Sequence, residues 1–163
     1  ETRTSGRVAQ LLRDHGLDVQ TGIAQTGLAS LVDGGRSGGR TVLLRADMDA
    51  LPIQEENETD YVSRNAGVMH ACGHDGHTVM LLGAARYLAE MRNFSGRVVL
   101  IFQPAEEGAP PGEVGGASQM LVEGVFDDPK PDAVFGLHVE PELEAGRIGN
   151  GSSMTLIGYS RAK

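Results

Sequence analysis

The residues of this chain that could do chemistry fall into four polar clusters. The densest is His70-Ala71-Cys72-Gly73-His74-Asp75-Gly76-His77, which packs three histidines, the only cysteine and an aspartate into eight residues. The others are Asp47 with Asp49, the adjacent pair Glu106-Glu107, and His138. Thiolate, imidazole and carboxylate together are borderline-soft ligands, suited to Zn²⁺ and related divalent ions. Cys72 and His74 are two apart, so in an extended segment both face the same way. Adjacent glutamates repel unless their roles differ. Neighbouring side chains diverge, so one can bind metal while the other moves a proton between water and a leaving group, the pairing that metal-assisted hydrolysis needs. His70 and His77 read as groups that orient ligands or as structural residues. Asp47 and Asp49 read either as turn residues or, for Asp49, as a support for the site.

Three of these clusters follow short apolar runs, and that placement carries the argument. Thr41-Val42-Leu43-Leu44 reads as a buried strand that runs into Arg45–Asp49 and is stopped by Pro52. Arg97–Phe102 reads as a second, ending at Gln103-Pro104 before the glutamates, and residues 132–137 as a third, ending at His138. Ligands of open α/β sheets bind beyond the carboxyl ends of the strands. The clusters are therefore expected to converge although they are far apart in sequence. Helices are expected over 3–15, 76–92 and 115–124. The first carries Val8, Leu11 and Leu12 inward and ends at Gly16. The second carries the stripe Val79, Leu82, Ala85, Leu88 and Met91, and the third carries Met120 and Leu121 inward. Met80, Met91 and Met120 are expected in the core. Short strands are expected over 18–24 and 28–33, a Gly/Ser turn over 34–39, and a last strand over 146–149. Residues 54–68 and 109–114 read as loops. Strands alternating with helices give an α/β class with parallel strands.

The formal charge of −8 argues against nucleic acid or an anionic membrane as partner, because both repel an acidic surface. No run reaches the roughly 18 apolar residues of a membrane span, and Glu1-Thr2-Arg3 does not read as a signal peptide. A lone cysteine forms no internal disulfide framework and suits a reducing compartment, the cytoplasm by default.

Four runs in order resemble one family. They are Leu44–Pro52 (LRADMDALP), His70–His77 (HACGHDGH), Phe102–Gly108 (FQPAEEG) and Gly136–Val139 (GLHV). Together they are similar to the metallopeptidases that include aminoacylases, hippurate hydrolases and plant indoleacetyl-amino-acid hydrolases. The resemblance implies a zinc-peptidase-like mixed sheet flanked by helices and two divalent ions, zinc or manganese, with cobalt and nickel as further candidates. It implies that Cys72 is shared between the ions, that His74, Glu107 and His138 are further ligands, that Glu106 is the general base and acid, and that Asp49 orients the site. The implied reaction cleaves the amide of a small N-acyl amino acid. The implied partners are that substrate and, through a separate lid domain, a second copy of the chain.

On this reading residues 1–149 are the N-terminal part of the catalytic domain, and 150–163 form a divergent, unassigned tail. The family's lid domain, and a final histidine ligand supplied after it, are not in the sequence, so an exposed sheet edge is expected. The rival readings are an inactive fragment or pseudo-enzyme that only binds metal, and a structural zinc module. The second is disfavoured by one cysteine among carboxylates, because structural zinc sites are closed by four ligands that often include several cysteines.

Overall fold

The computed structural model of the protein describes residues 1–109, 111–112 and 115–149. The unassigned tail from 150 and part of the 109–114 loop lie outside the described residues.

Helix α1 (Thr2–Asp14) forms because Val8, Ala9 and Leu12 share one buried face. It ends at His15, after which Gly16 adopts φ +72°, a left-handed turn that glycine takes without strain. Strands β1 (Val19–Ile23) and β2 (Gly27–Asp33) pair antiparallel across the expected turn. Strand β3 (Arg36–Asp47) is followed by an irregular segment, then helix α2 (His74–Met91), strand β4 (Ser95–Gln103), helix α3 (Gly116–Val122) and strand β5 (Ala133–Gly136). The sheet order is β1-β2-β4-β3-β5. β4, β3 and β5 run parallel, while β1 and β2 join antiparallel at one side, so the sheet is mixed. The parallel strands all end at one rim, with Asp47 opposite Gln103 and Gly136 beside Arg45.

Both faces of the sheet are covered. Leu28, Val32, Leu100 and Phe102 pack under α1 and α2, and Ala29, Leu43, Val99 and Ile101 pack on the other face with Met120 of α3. Because both faces are covered, Val99, Leu100, Ile101 and Phe102 of β4 are all buried although they alternate sides, and they read as a continuous apolar run.

The structure corrects several expectations. The segment 34–39 is not simply a turn, since β3 begins at Arg36, which pairs with Ser95 before the register shifts to Thr41 opposite Arg97. A side chain at Gly39 would collide with the backbone of Ser95 and Gly96, so the glycines permit a close crossing. The buried face of α2 is His74, His77, Thr78, Leu81 and Ala85, whereas Val79, Met80 and Met91 are exposed. A stripe drawn through apolar residues alone misses a face whose first turn is polar. In α3 Met120 is buried but Leu121 is exposed. Residues 146–149 form no strand. Among the described residues no helix is long and apolar enough to cross a membrane.

Candidate metal centre

Asp47, Asp49, Cys72, His74, His77, Glu106, Glu107 and His138 gather at the rim where the parallel strands end. Arg45 and Asp47 are two apart on β3, so they share a side of the strand, and the guanidinium donates to the Asp47 carboxylate at 2.6 Å. Arg45 also donates to the side chain of Gln103, at the end of β4, at 2.8 Å. Asp49 follows the strand. Gly73, at φ +78°, turns the chain sharply from Cys72 into α2, so that His74 opens the helix and His77 stands on the same face. Glu106 and Glu107 follow β4, and His138 follows β5.

His74 is the hub. It is fully buried, and its Nδ1–H donates to Asp49 at 3.0 Å. That bond turns Nε2 inward, where it is buried without a hydrogen-bond partner. Carboxylate oxygens of Asp47, Glu107 and Glu106 lie 3.7, 3.8 and 3.9 Å from it. Asp49 also accepts the backbone N–H of Glu107 at 2.9 Å, so one aspartate fixes both the histidine and the glutamate loop. The thiol of Cys72 faces the Glu107 carboxylate and lies 3.4 Å from Nε2 of His138. His138 donates through Nδ1 to the carbonyl of Val139 at 2.7 Å, which leaves Nε2 directed at the cluster.

The two glutamates do not diverge as adjacent side chains on a strand would. Both reach within 4 Å of His74, because the chain has left β4 and Ala105 takes φ 46°. Asp47 and His77 are more central than their sequence suggests. Asp47 is wholly buried and accepts from Arg45 and from His77 Nδ1–H at 2.6 Å, while its backbone carbonyl accepts from Thr78. The signal that could have found His77 is its spacing of three from His74, which puts both on one helical face. His70 contributes to none of the candidate ligand groups.

The electrostatics follow from crowding anions in a half-buried place. Burial pushes the Cys72 thiol up to about 12, helped by its hydrogen bond with Glu107 and the charges of Glu107, Glu106 and Asp47. Burial likewise raises Glu106 above the ordinary carboxylate range, with Asp47 and Glu107 adding to it against Arg45 and His74. For Asp49 burial acts upward, but the bonds from His74 and the Glu107 amide outweigh it and hold the carboxyl low. Burial acts downward on His74, yet Asp49 and Asp47 raise it. Burial keeps His77 low, Asp47 notwithstanding.

These features fit a divalent cation. An imidazole nitrogen buried without a partner, a thiol and two carboxylates crowd together, offset by Arg45 and by such charge as His74 carries, and a bound cation would satisfy the free nitrogen and balance the carboxylates. Three groups bring ligand atoms within 4.8 Å of one another: Cys72, His74 and His138; His74, Glu106 and Glu107; and Asp47, His74 and His77. In the last group both His77 nitrogens are engaged, one with Asp47 and one with the backbone of Val139, so the first two offer the free donors.

The chain is 45% identical over 151 residues to the N-acyl-L-amino acid amidohydrolase of Geobacillus stearothermophilus, covering 91% of this chain and 39% of that protein. It is 48% identical over 141 residues to the hippurate hydrolase of Campylobacter jejuni, covering 86% of this chain and 35% of that protein. The chain thus spans little more than a third of these relatives. Among solved structures, a Bacillus subtilis dinuclear metal binding peptidase from the M20 family superposes with a TM-score of 0.79 at 37% identity, covering 88% of this chain and 38% of that one. The profile of peptidase family M20/M25/M40 matches residues 43–153, more than half of the sequence, and the chain belongs to that family.

Proposed function

We propose that this rim is the metal centre of an amidohydrolase that releases amino acids from their N-acyl derivatives. The observation that carries the reading is His74 Nε2, buried without a partner and ringed by carboxylates. Two divalent ions fit the donor set, zinc or manganese first. Cys72, His74, Glu107 and His138 would hold them. The bound ions supply Lewis acidity, which polarises the acyl carbonyl and eases loss of a proton from water.

The chain's own residues do the rest. Glu106 takes a proton from water as the oxygen attacks the carbonyl carbon, then returns it to the departing nitrogen. Its raised proton affinity suits both halves of that task, since a carboxylate poised nearer neutrality gives a proton back more readily. Asp49 holds His74 in one tautomer and fixes the loop that carries both glutamates. Relatives named for N-acyl amino acids and hippurate support this substrate class, and a cytoplasmic setting fits a thiol that must stay reduced.

The test is Glu106→Gln, assayed with hippurate and N-acetyl amino acids after loading with Zn²⁺ or Mn²⁺. Metal content stays unchanged and turnover falls by at least about 10²-fold. Turnover near the unmutated level removes Glu106 as the base, and metal uptake without turnover by the unmutated chain favours a binding-only role.

A further inference from the structure

Val139, next to His138, is held at two points by the first turn of α2. Its backbone N–H donates to His77 Nε2 at 2.8 Å. Its side chain lies so close to Gly73 that a Cβ there would come within 2.7 Å of Val139 Cγ2. Gly73 is the residue between Cys72 and His74. His77, for its part, is anchored by Asp47 at 2.6 Å, and Asp47 by Arg45. A continuous chain of contacts thus runs from β3 through α2 to the segment after β5.

That segment needs such a hold. β5 has four residues and, among the described residues, pairs only with β3. His138 and Val139 are exposed. Among the described residues, the hydrogen bonds that tie these two to the rest of the protein are those to Cys72 and His77. His77 cannot spare a nitrogen for a metal while Nε2 accepts from Val139 and Nδ1 donates to Asp47.

We propose that His77 and Gly73 form a latch on Val139 that registers His138 against Cys72, joining the two parts of the donor set. The inference rests on the metal-centre reading above. His77 is then a positioning residue: it acts through Val139 on a ligand whose ring it also packs against, centroids 4.7 Å apart, without a hydrogen bond to it. The latch also explains why a glycine separates Cys72 from His74, since any side chain there would push Val139 away.

The two nitrogens of His77 can be tested separately. In His77→Asn the amide N–H stands near the Nδ1 position, so the bond to Asp47 survives and Val139 loses its acceptor. In His77→Gln the longer side chain carries its carbonyl to the Nε2 position and restores that acceptor. Binding of Co²⁺ to the full chain is followed by competition with a chelator and by the thiolate-to-cobalt absorption band, with melting of the metal-free variants as a folding control. His77→Asn weakens Co²⁺ binding by about 10- to 100-fold and alters the band. His77→Gln recovers most of the loss, and in a His138→Ala background His77→Asn has no further effect. Should His77→Asn fail to fold, Val139→Pro deletes the same N–H from an exposed segment and gives the same loss. The latch is overturned if the Asn or Pro variant binds Co²⁺ as the unmutated chain does, or if the losses at 77 and 138 add in full. Absence of Co²⁺ uptake by the unmutated chain, or undiminished uptake by Cys72→Ser, sinks the metal-centre reading itself and the latch with it.

Discussion

The two sides of the donor cluster are built differently. On the β3–α2 side, Asp47, Asp49, His74 and His77 are all nearly or wholly buried, and among their side-chain nitrogens only Nε2 of His74 lacks a partner. On the open side, Cys72, just before α2, is half-buried, His138, after β5, is exposed, and the hydrogen bonds that hold them are few. One side spends all its polar atoms but His74 Nε2 on buried partners, and the other bonds mainly within itself near the surface. Satisfied buried networks specify a single arrangement but leave little capacity for ligands. Free donors bind ligands but need their geometry imposed from elsewhere. The difference teaches that the buried aspartates act as a frame and that the reactive atoms are hung from it.

The largest effect should come from the frame. Asp47→Ala strands the buried His77 Nδ1–H and takes one of two partners from the partly exposed Arg45, which keeps Gln103. A loss of about 1–3 kcal/mol is expected from leaving such a buried donor unsatisfied, measured by denaturant unfolding of the metal-free chain. His138→Ala on the open side should cost about 0.5 kcal/mol or less under the same conditions. Similar losses at both positions would erase the distinction between frame and donors.

How much of this was readable beforehand follows the same division. The donors were legible because they are announced locally: Cys72 and His74 by their dense cluster, the others by apolar runs that end in polar residues and mark strands reaching the rim, where Asp47 stands level with Gln103 and Arg45 with Gly136. The frame was less legible because it is made by pairings across 30 and 62 residues, His77 with Asp47 and with Val139, which no local pattern encodes. The face of α2 was misread for a related reason. His74, His77 and Thr78 are buried because they meet Asp49 and Asp47, so their polarity hides a stripe that Leu81 and Ala85 continue. The glutamate loop was misread because Ala105, in a left-handed conformation, ends the strand's alternation.

An intermediate effect tests the open side through protons. The Cys72 thiol is pushed up to about 12 by burial first and then by its carboxylate neighbours, so in the metal-free chain it carries its proton at neutral pH. Metal ligation must release that proton. Affinity therefore rises with pH, by about tenfold per unit for each proton released. Calorimetry in two buffers of different ionisation enthalpy counts the protons, and Cys72→Ser should release one fewer. An unchanged count would show that the thiol is no ligand and that the open side consists of imidazole and carboxylate alone.

The smallest effect lies farthest from the frame, on β5 itself. Among the described residues β5 pairs only with β3, and Val134, Phe135 and Leu137 show 42, 59 and 59% of their surface. Fully burying a phenylalanine is worth about 1.5–3 kcal/mol, so one this exposed holds less than about 1 kcal/mol of the fold. Phe135→Lys should therefore shift the unfolding midpoint little while reducing self-association in sedimentation, because an edge lysine opposes strand-to-strand pairing. If instead the variant lost several kcal/mol and also bound Co²⁺ poorly, β5 would belong to the frame. His138 would then be held as much by its strand as by the contacts of Val139, and the contrast between the two sides would have to be redrawn at β5.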